Sequence, residues 1–173
     1  MPIFTLVRPF LRNWPWVALA VSALMLALVH AVETFGGLRP CELCLRQREV
    51  YWVAMGAAAT VIALRMTPLN PGRWVNTAFG LIFLVGAGIA AYHAGVEYKW
   101  WPGPASCTGG HTVSAADLAG FLGGAKATPP QCDKAAWVFL GISMAGYNAL
   151  LSLKLTLLSF WAAFGPVREP GAA

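Results

Sequence analysis

Four stretches of the chain, about 16–32, 45–64, 74–93 and 137–161, are almost free of charge and long enough to cross a lipid bilayer. A hydrocarbon core of about 30 Å needs about 20 helical residues. The first stretch, Trp16 to Val32, meets no charge before Glu33, and Trp14 and Trp16 mark its start as interfacial aromatics do. The second, Leu45 to Leu64, confines Arg46, Arg48 and Glu49 to its first turns and closes at Arg65. The third runs from Trp74 to His93. The fourth, Trp137 to Trp161, carries Lys154 near its far end, where the ammonium group can snorkel to the interface. Only 11% of the residues are charged, against about 25% in a soluble domain; so few charges cannot cover a water-facing surface. These features predict an all-α integral membrane protein, a four-transmembrane-helix bundle forming a single membrane domain over 1–173. Arg8 and Arg12 ahead of the first stretch would suit a signal peptide. The long apolar run, the lack of a small-x-small cleavage site and the three later spans favour a retained helix.

Four spans place residues 33–44 and 94–136 on one side of the membrane, with all four cysteines, and both termini on the other. Charge does not orient the bundle: Arg8, Arg12, Arg65, Arg73, Lys154 and Arg168 lie on the termini side, and Arg39, Arg46, Arg48, Lys99, Lys126 and Lys134 on the cysteine side. The net charge of +5 is spread along the chain with no basic stripe, so no nucleic-acid partner is expected. Gly56 to Ala59, Gly80 and Gly86 to Gly88 read as positions where helix backbones approach closely. Within the second loop, residues 112–122 place Val113, Leu118, Phe121 and Leu122 near one face. They predict a short amphipathic helix on the membrane, capped by Thr112 or Ser114.

The cysteines carry the chemistry. Cys41 and Cys44 form a Cys-x-x-Cys pair at the mouth of the second span, where free N–H groups of a helix start stabilise a thiolate. Arg48 follows Cys44 by one turn on the same face, where a guanidinium favours the thiolate and can hold a polar ligand group. Glu42 would oppose ionisation and is expected to point away. Cys107 and Cys132 are 25 residues apart; that spacing lacks the second knuckle of a Cys₄ zinc site, and no metal is expected. A structural disulfide is the simple alternative for this second pair. Its exposed, Pro-flanked loop suits a bond meant to be opened by a partner. One solvent-facing pair and one pair at the membrane edge suggest a relay, from a soluble dithiol through thiol–disulfide exchange to a lipophilic acceptor. His30 and His111 have no motif around them, and Glu97 and Tyr98 are expected at the interface.

The segments RPCELCLRQR, YHAGVEYKWWPGPASC and CDKAAWVFLGISM together resemble the DsbB family of membrane disulfide-generating oxidoreductases. The match extends over nearly the whole chain, in span count, cysteine order and the Trp-x-Phe-Leu-Gly-x-x-Met pattern opening the last span. The resemblance implies a bacterial inner-membrane protein with periplasmic cysteine loops and cytoplasmic termini. Such a protein reoxidises a DsbA-like soluble thioredoxin-fold oxidase and passes two electrons to a membrane quinone, either ubiquinone or menaquinone. It further implies that Cys107 is attacked by the partner, that Cys132 exchanges with Cys41, and that Cys44 is released as the thiolate facing the quinone. By the same resemblance Arg48 and His93 are the quinone-proximal residues. Gln47 replaces an acid common at that place in the family and is assigned no role. Vitamin-K-epoxide-reductase-like proteins also couple cysteine pairs to a quinone, but their loop cysteines precede the Cys-x-x-Cys. A structural or metal-binding membrane protein would instead keep stable cysteines and use no quinone.

Overall fold

The computed structural model describes residues 9–11, 13–66, 73–108, 122 and 131–165. It contains α1 (Trp14–Gly36), α2 (Glu42–Leu64), α3 (Trp74–Glu97), a two-stranded hairpin of β1 (Val138–Phe139) and β2 (Ile142–Ser143), and α4 (Met144–Phe164). The amphipathic helix expected between Cys107 and Cys132 lies outside the described residues. Three helices, α1, α3 and α4, are long and apolar enough to cross a membrane, with mean hydropathies of 2.0, 1.8 and 1.2 over their best windows. The protein is therefore a multi-pass membrane protein. The fourth expected span, α2, is 23 residues long, and Glu42, Arg46, Arg48 and Glu49 in its first turns lower its apolar average.

Helices α1 to α4 pack in sequence order, and the α3–α4 seam is the most extensive. Its closeness follows from small residues. A Cβ on Gly80 would lie 2.8 Å from the Phe160 ring of α4, and at the α2–α3 seam one on Gly86 would lie 2.9 Å from Val50. Gly56 and Gly88 meet nothing within 4 Å, so these two do not serve the packing expected of them among the described residues. The core joins Trp14, Ala18 and Leu26 of α1 with Tyr51, Ala54 and Ala58 of α2, Phe79 and Phe83 of α3, and Leu155 of α4. Leu24, Leu28, Trp52, Val53, Leu81, Val85, Leu150 and Leu157 point outward, which suits a surface solvated by lipid.

Polar side chains tie α4 to both α1 and α3. Trp14 is buried, and its indole N–H donates to Ser159 Oγ at 2.9 Å. Trp16 is exposed. Asn76 donates to the Ala162 carbonyl at 3.2 Å.

The last helix begins at Met144, seven residues after the apolar run starts at Trp137. Residues 138–143 instead pair antiparallel, Val138 with Ser143 and Phe139 with Ile142. Leu140 and Gly141 both have positive φ, 49° and 77°, the backbone of a type I′ hairpin turn. A helix cannot pass through two left-handed residues, so the chain turns once before Ser143 caps α4 by accepting the Gly146 N–H at 3.1 Å.

Candidate active site at the start of α2

All four cysteines meet at one end of the bundle, in a buried cluster with Leu43 and Val96. Cys41 is the N-cap of α2, and its sulfur accepts the Cys44 N–H at 3.2 Å. The capped turn brings Cys41 Sγ within 2.6 Å of Cys44 Sγ. Cys107 and Cys132 form a disulfide with Cα atoms 5.3 Å apart, and the Cys132 N–H donates to the Cys107 carbonyl at 2.7 Å. Cys132 is fully buried. This differs from the exposed bond expected from the loop's composition, because Val96, Leu43 and Cys41 cover it.

The two pairs are neighbours. Cys41 Sγ, Cys132 Sγ and His93 Nε2 all lie within 4.8 Å of one another. Three such donors can attract a metal ion. With Cys132 bonded to Cys107 only two remain, short of the four a structural zinc site uses.

Two side-chain contacts hold the loops over the site. Ser106 donates to Glu42 at 2.5 Å, which turns the Glu42 carboxylate toward the loop. Lys99 Nζ reaches both the carbonyl and the carboxylate of Asp133, at 2.7 and 2.5 Å. This tether fixes the residue after Cys132 to the end of α3, and the Lys99 ammonium holds the Asp133 carboxyl below its usual value. Cys41 behaves in the opposite sense. Its hydrogen bond to Cys44, and then its burial, keep its thiol above the ordinary thiol range.

Arg48 pairs with Glu33 of α1, Nη1 to Oε2 at 2.6 Å. A guanidinium carries five donors, so this contact orients Arg48 without exhausting it. Arg46 points elsewhere and pairs with the exposed Glu49. His93 is almost fully buried. Its Nε2 lies 3.6 Å from Cys41 Sγ and 3.7 Å from Glu97 Oε1, and its Nδ1 lies 2.7 Å from Gln47 Nε2. Of the residues singled out from the sequence, the four cysteines and His93 thus converge. Arg48 sits one turn from Cys44 but faces α1.

Sequence reasoning missed Glu97, Gln47 and Asn148. Glu97 is buried rather than interfacial, its side chain 5% exposed; its spacing of four from His93 put both on one face. Gln47 accepts from Asn148 Nδ2 at 2.5 Å, and Asn148 accepts from Tyr51 at 2.5 Å. Lone amides inside apolar helices were the available signal, since a buried amide requires partners.

The helices and this cluster define a membrane protein built around thiol–disulfide chemistry. Residues 11–162 match the family model described as Disulfide bond formation protein DsbB. Proteins named Disulfide bond formation protein B are similar over most of the chain. One from Aromatoleum aromaticum is 31% identical over 159 residues, covering 84% of this chain and 84% of the relative. One from Nitrosococcus oceani is 28% identical over 147 residues, covering 82% and 84%. The chain belongs to the DsbB family and is a membrane disulfide bond formation protein.

Proposed function

We propose that this protein spans the bacterial inner membrane four times, with its cysteines on the periplasmic side, and oxidises a DsbA-like thioredoxin-fold dithiol at the expense of a membrane quinone. The observation that carries this reading is the placement of Cys132 Sγ within 4.8 Å of Cys41 Sγ. Exchange between the two pairs then needs a side-chain movement rather than a rearrangement of the bundle.

The partner's thiolate attacks Cys107 Sγ, the Cys107–Cys132 bond breaks, and Cys132 leaves with the electron pair. Cys132 next attacks Cys41 of an oxidised Cys41–Cys44 pair, and Cys44 leaves as the thiolate. The helix start and the positive charge of Arg48 both favour that thiolate. The partner's second thiolate attacks its own sulfur in the mixed disulfide, which closes the partner's disulfide and releases Cys107 as a thiolate. Cys107 then displaces Cys41 from Cys132, which restores the outer disulfide and leaves the dithiol at α2. The quinone, when bound, accepts two electrons and two protons from this dithiol. The residues fit such a ligand: Cys44 is partly exposed beside the outward-facing Leu45, and Arg48 keeps N–H donors for a carbonyl oxygen. His93 turns both ring nitrogens toward protein groups, so Arg48 is the better candidate for holding the quinone.

Purified protein should oxidise a reduced thioredoxin-fold dithiol only when quinone is supplied, with one quinone reduced per disulfide formed. Cys107→Ser should block the first exchange, and Cys44→Ser should abolish quinone reduction. Full activity in either variant would refute the relay.

A further inference from the structure

The hydrogen bonds around His93 have a direction. Gln47 Nε2 lies 3.3 Å from the Leu43 carbonyl oxygen, so the amide nitrogen, not its oxygen, must occupy that side. The Gln47 oxygen is correspondingly taken by Asn148 Nδ2, and the Asn148 oxygen by the Tyr51 hydroxyl. Each donor in this chain, from α2 to α4 and back, meets an acceptor only in one sense. Gln47 therefore donates to His93 Nδ1 at 2.7 Å. A neutral imidazole carries one N–H, and a nitrogen that accepts cannot hold it. The hydrogen sits on Nε2, which faces Cys41 Sγ at 3.6 Å and Glu97 Oε1 at 3.7 Å.

We infer that Gln47 and Asn148 are positioning residues that hold His93 in its Nε2–H form, so that His93 serves the exchange as a hydrogen-bond donor to Cys41. This rests on the relay proposed above and specifies one of its steps. When Cys107 attacks Cys132 in the Cys41–Cys132 mixed disulfide, the Cys132–Cys41 bond breaks and Cys41 leaves with the electron pair. His93 Nε2–H is placed to stabilise that leaving thiolate. No proton passes to His93 in the step, since Nε2 already carries one. The other ionisable groups beside it are Glu97 on its own helix, Cys44 on α2, and the Cys107–Cys132 pair. Glu97 Oε1 stands beyond hydrogen-bond reach of Nε2 at 3.7 Å, and the Cys132 backbone also hydrogen-bonds His93.

The decisive readout is the imidazole ¹⁵N spectrum of histidine-labelled protein in detergent, with the His93 signals identified by their loss in His93→Gln. Wild type should show a protonated Nε2 and a bare Nδ1. Gln47→Glu removes the amide donor and presents only acceptors to His93, and should move the hydrogen to Nδ1. Asn148→Asp should do the same by another route, drawing the Gln47 amide away and turning its oxygen toward His93. In a variant so reversed, single-turnover release of Cys41 from the trapped Cys41–Cys132 disulfide should slow by about tenfold or more, because hydrogen bonds to charged groups are the strong ones. A wild-type His93 protonated at Nδ1, two variants that both leave the tautomer unchanged, or a reversed tautomer with an unchanged release rate would each overturn the inference. The spectrum needs no turnover. A wild type with the expected tautomer that never forms a Cys41–Cys132 bond would therefore locate the failure in the relay and overturn the donor role with it.

Discussion

Gly95 lies in the last turn of α3, where the indole of Trp101 folds back onto the helix. Trp101 Nε1 donates to the Tyr92 carbonyl at 3.0 Å, and its ring stacks on Tyr92 at 6.1 Å between centroids and 11° between planes. A Cβ at position 95 would fall 2.0 Å from Trp101 Cζ2 and 2.3 Å from Cε2. Such overlap cannot be relieved by a few tenths of an ångström, so in Gly95→Ala the indole must leave. The variant forfeits a hydrogen bond of about 1 kcal/mol and an aromatic pair of about 0.5–1.5 kcal/mol. Against this, Ala gains about 1 kcal/mol over Gly as a helix former. The net expectation is a loss of about 1 kcal/mol, read as a lower midpoint in a chemical or thermal melt of the detergent-solubilised protein. The cause is isolated by a double-mutant cycle with Trp101→Ala. Once the indole is gone, Gly95→Ala should be neutral or stabilising. If it costs the same with and without Trp101, the clash is not the reason and the reasoning fails. Trp101 precedes Cys107 by six residues, so the single variant should also slow attack of a dithiol partner on Cys107.

Arg48→Ala should raise the apparent quinone KM by about tenfold, the scale of one lost hydrogen bond to a charged donor, while leaving kcat within about twofold; an unchanged KM would remove Arg48 from the quinone site. Site-resolved alkylation of the reduced protein should modify Cys44 well before Cys41 at neutral pH. Cys41 is buried and its raised thiol stays protonated as pH climbs past the ordinary thiol value of 9.0, and equal rates would contradict this. Asp133→Asn should weaken the Lys99 tether at neutral pH by less than about 1 kcal/mol. The Asp133 carboxyl is depressed below 3.8, so the pair's contribution is present above that value and vanishes as pH falls through the lowered one. The melts of variant and wild type should converge as pH falls through that lowered value. Gly80→Leu should destabilise the α3–α4 seam, and Phe160→Ala should recover part of the loss by making room; no recovery would place the strain elsewhere.

Apolar length alone made the helices legible, because a bilayer rewards long uncharged runs whatever their neighbours. It could not place the start of the last one. Trp137 to Phe139 are as apolar as the helix that follows, and only Leu140 and Gly141 adopting positive φ separates hairpin from helix. The cysteine order and spacing made the two cysteine pairs legible, and their burial was not, since Val96 and Leu43 cover Cys132 through tertiary contacts. Arg48 was read against its own helix, whereas its carboxylate partner Glu33 comes from α1, fifteen residues earlier. Gln47 and Asn148 are 101 residues apart, and their meeting depends on the rotation of two helices about their axes. No local pattern encodes that rotation.

The cap of α2 is made by a sulfur atom that the proposed relay also uses. While Cys41 faces Cys44, its Sγ closes the first turn by accepting the Cys44 N–H. In the proposed bond with Cys132 the same atom would turn toward another loop, and the turn would lose its acceptor. Redox state and helix order are thereby linked at one amide. Hydrogen–deuterium exchange at the Cys44 N–H should be slow when the Cys41 sulfur caps the helix and faster when Cys41 is trapped with Cys132. A loosened first turn would also release Cys44 from a fixed direction, so that its thiolate would be freest to move at the stage when the proposed relay brings it to its acceptor.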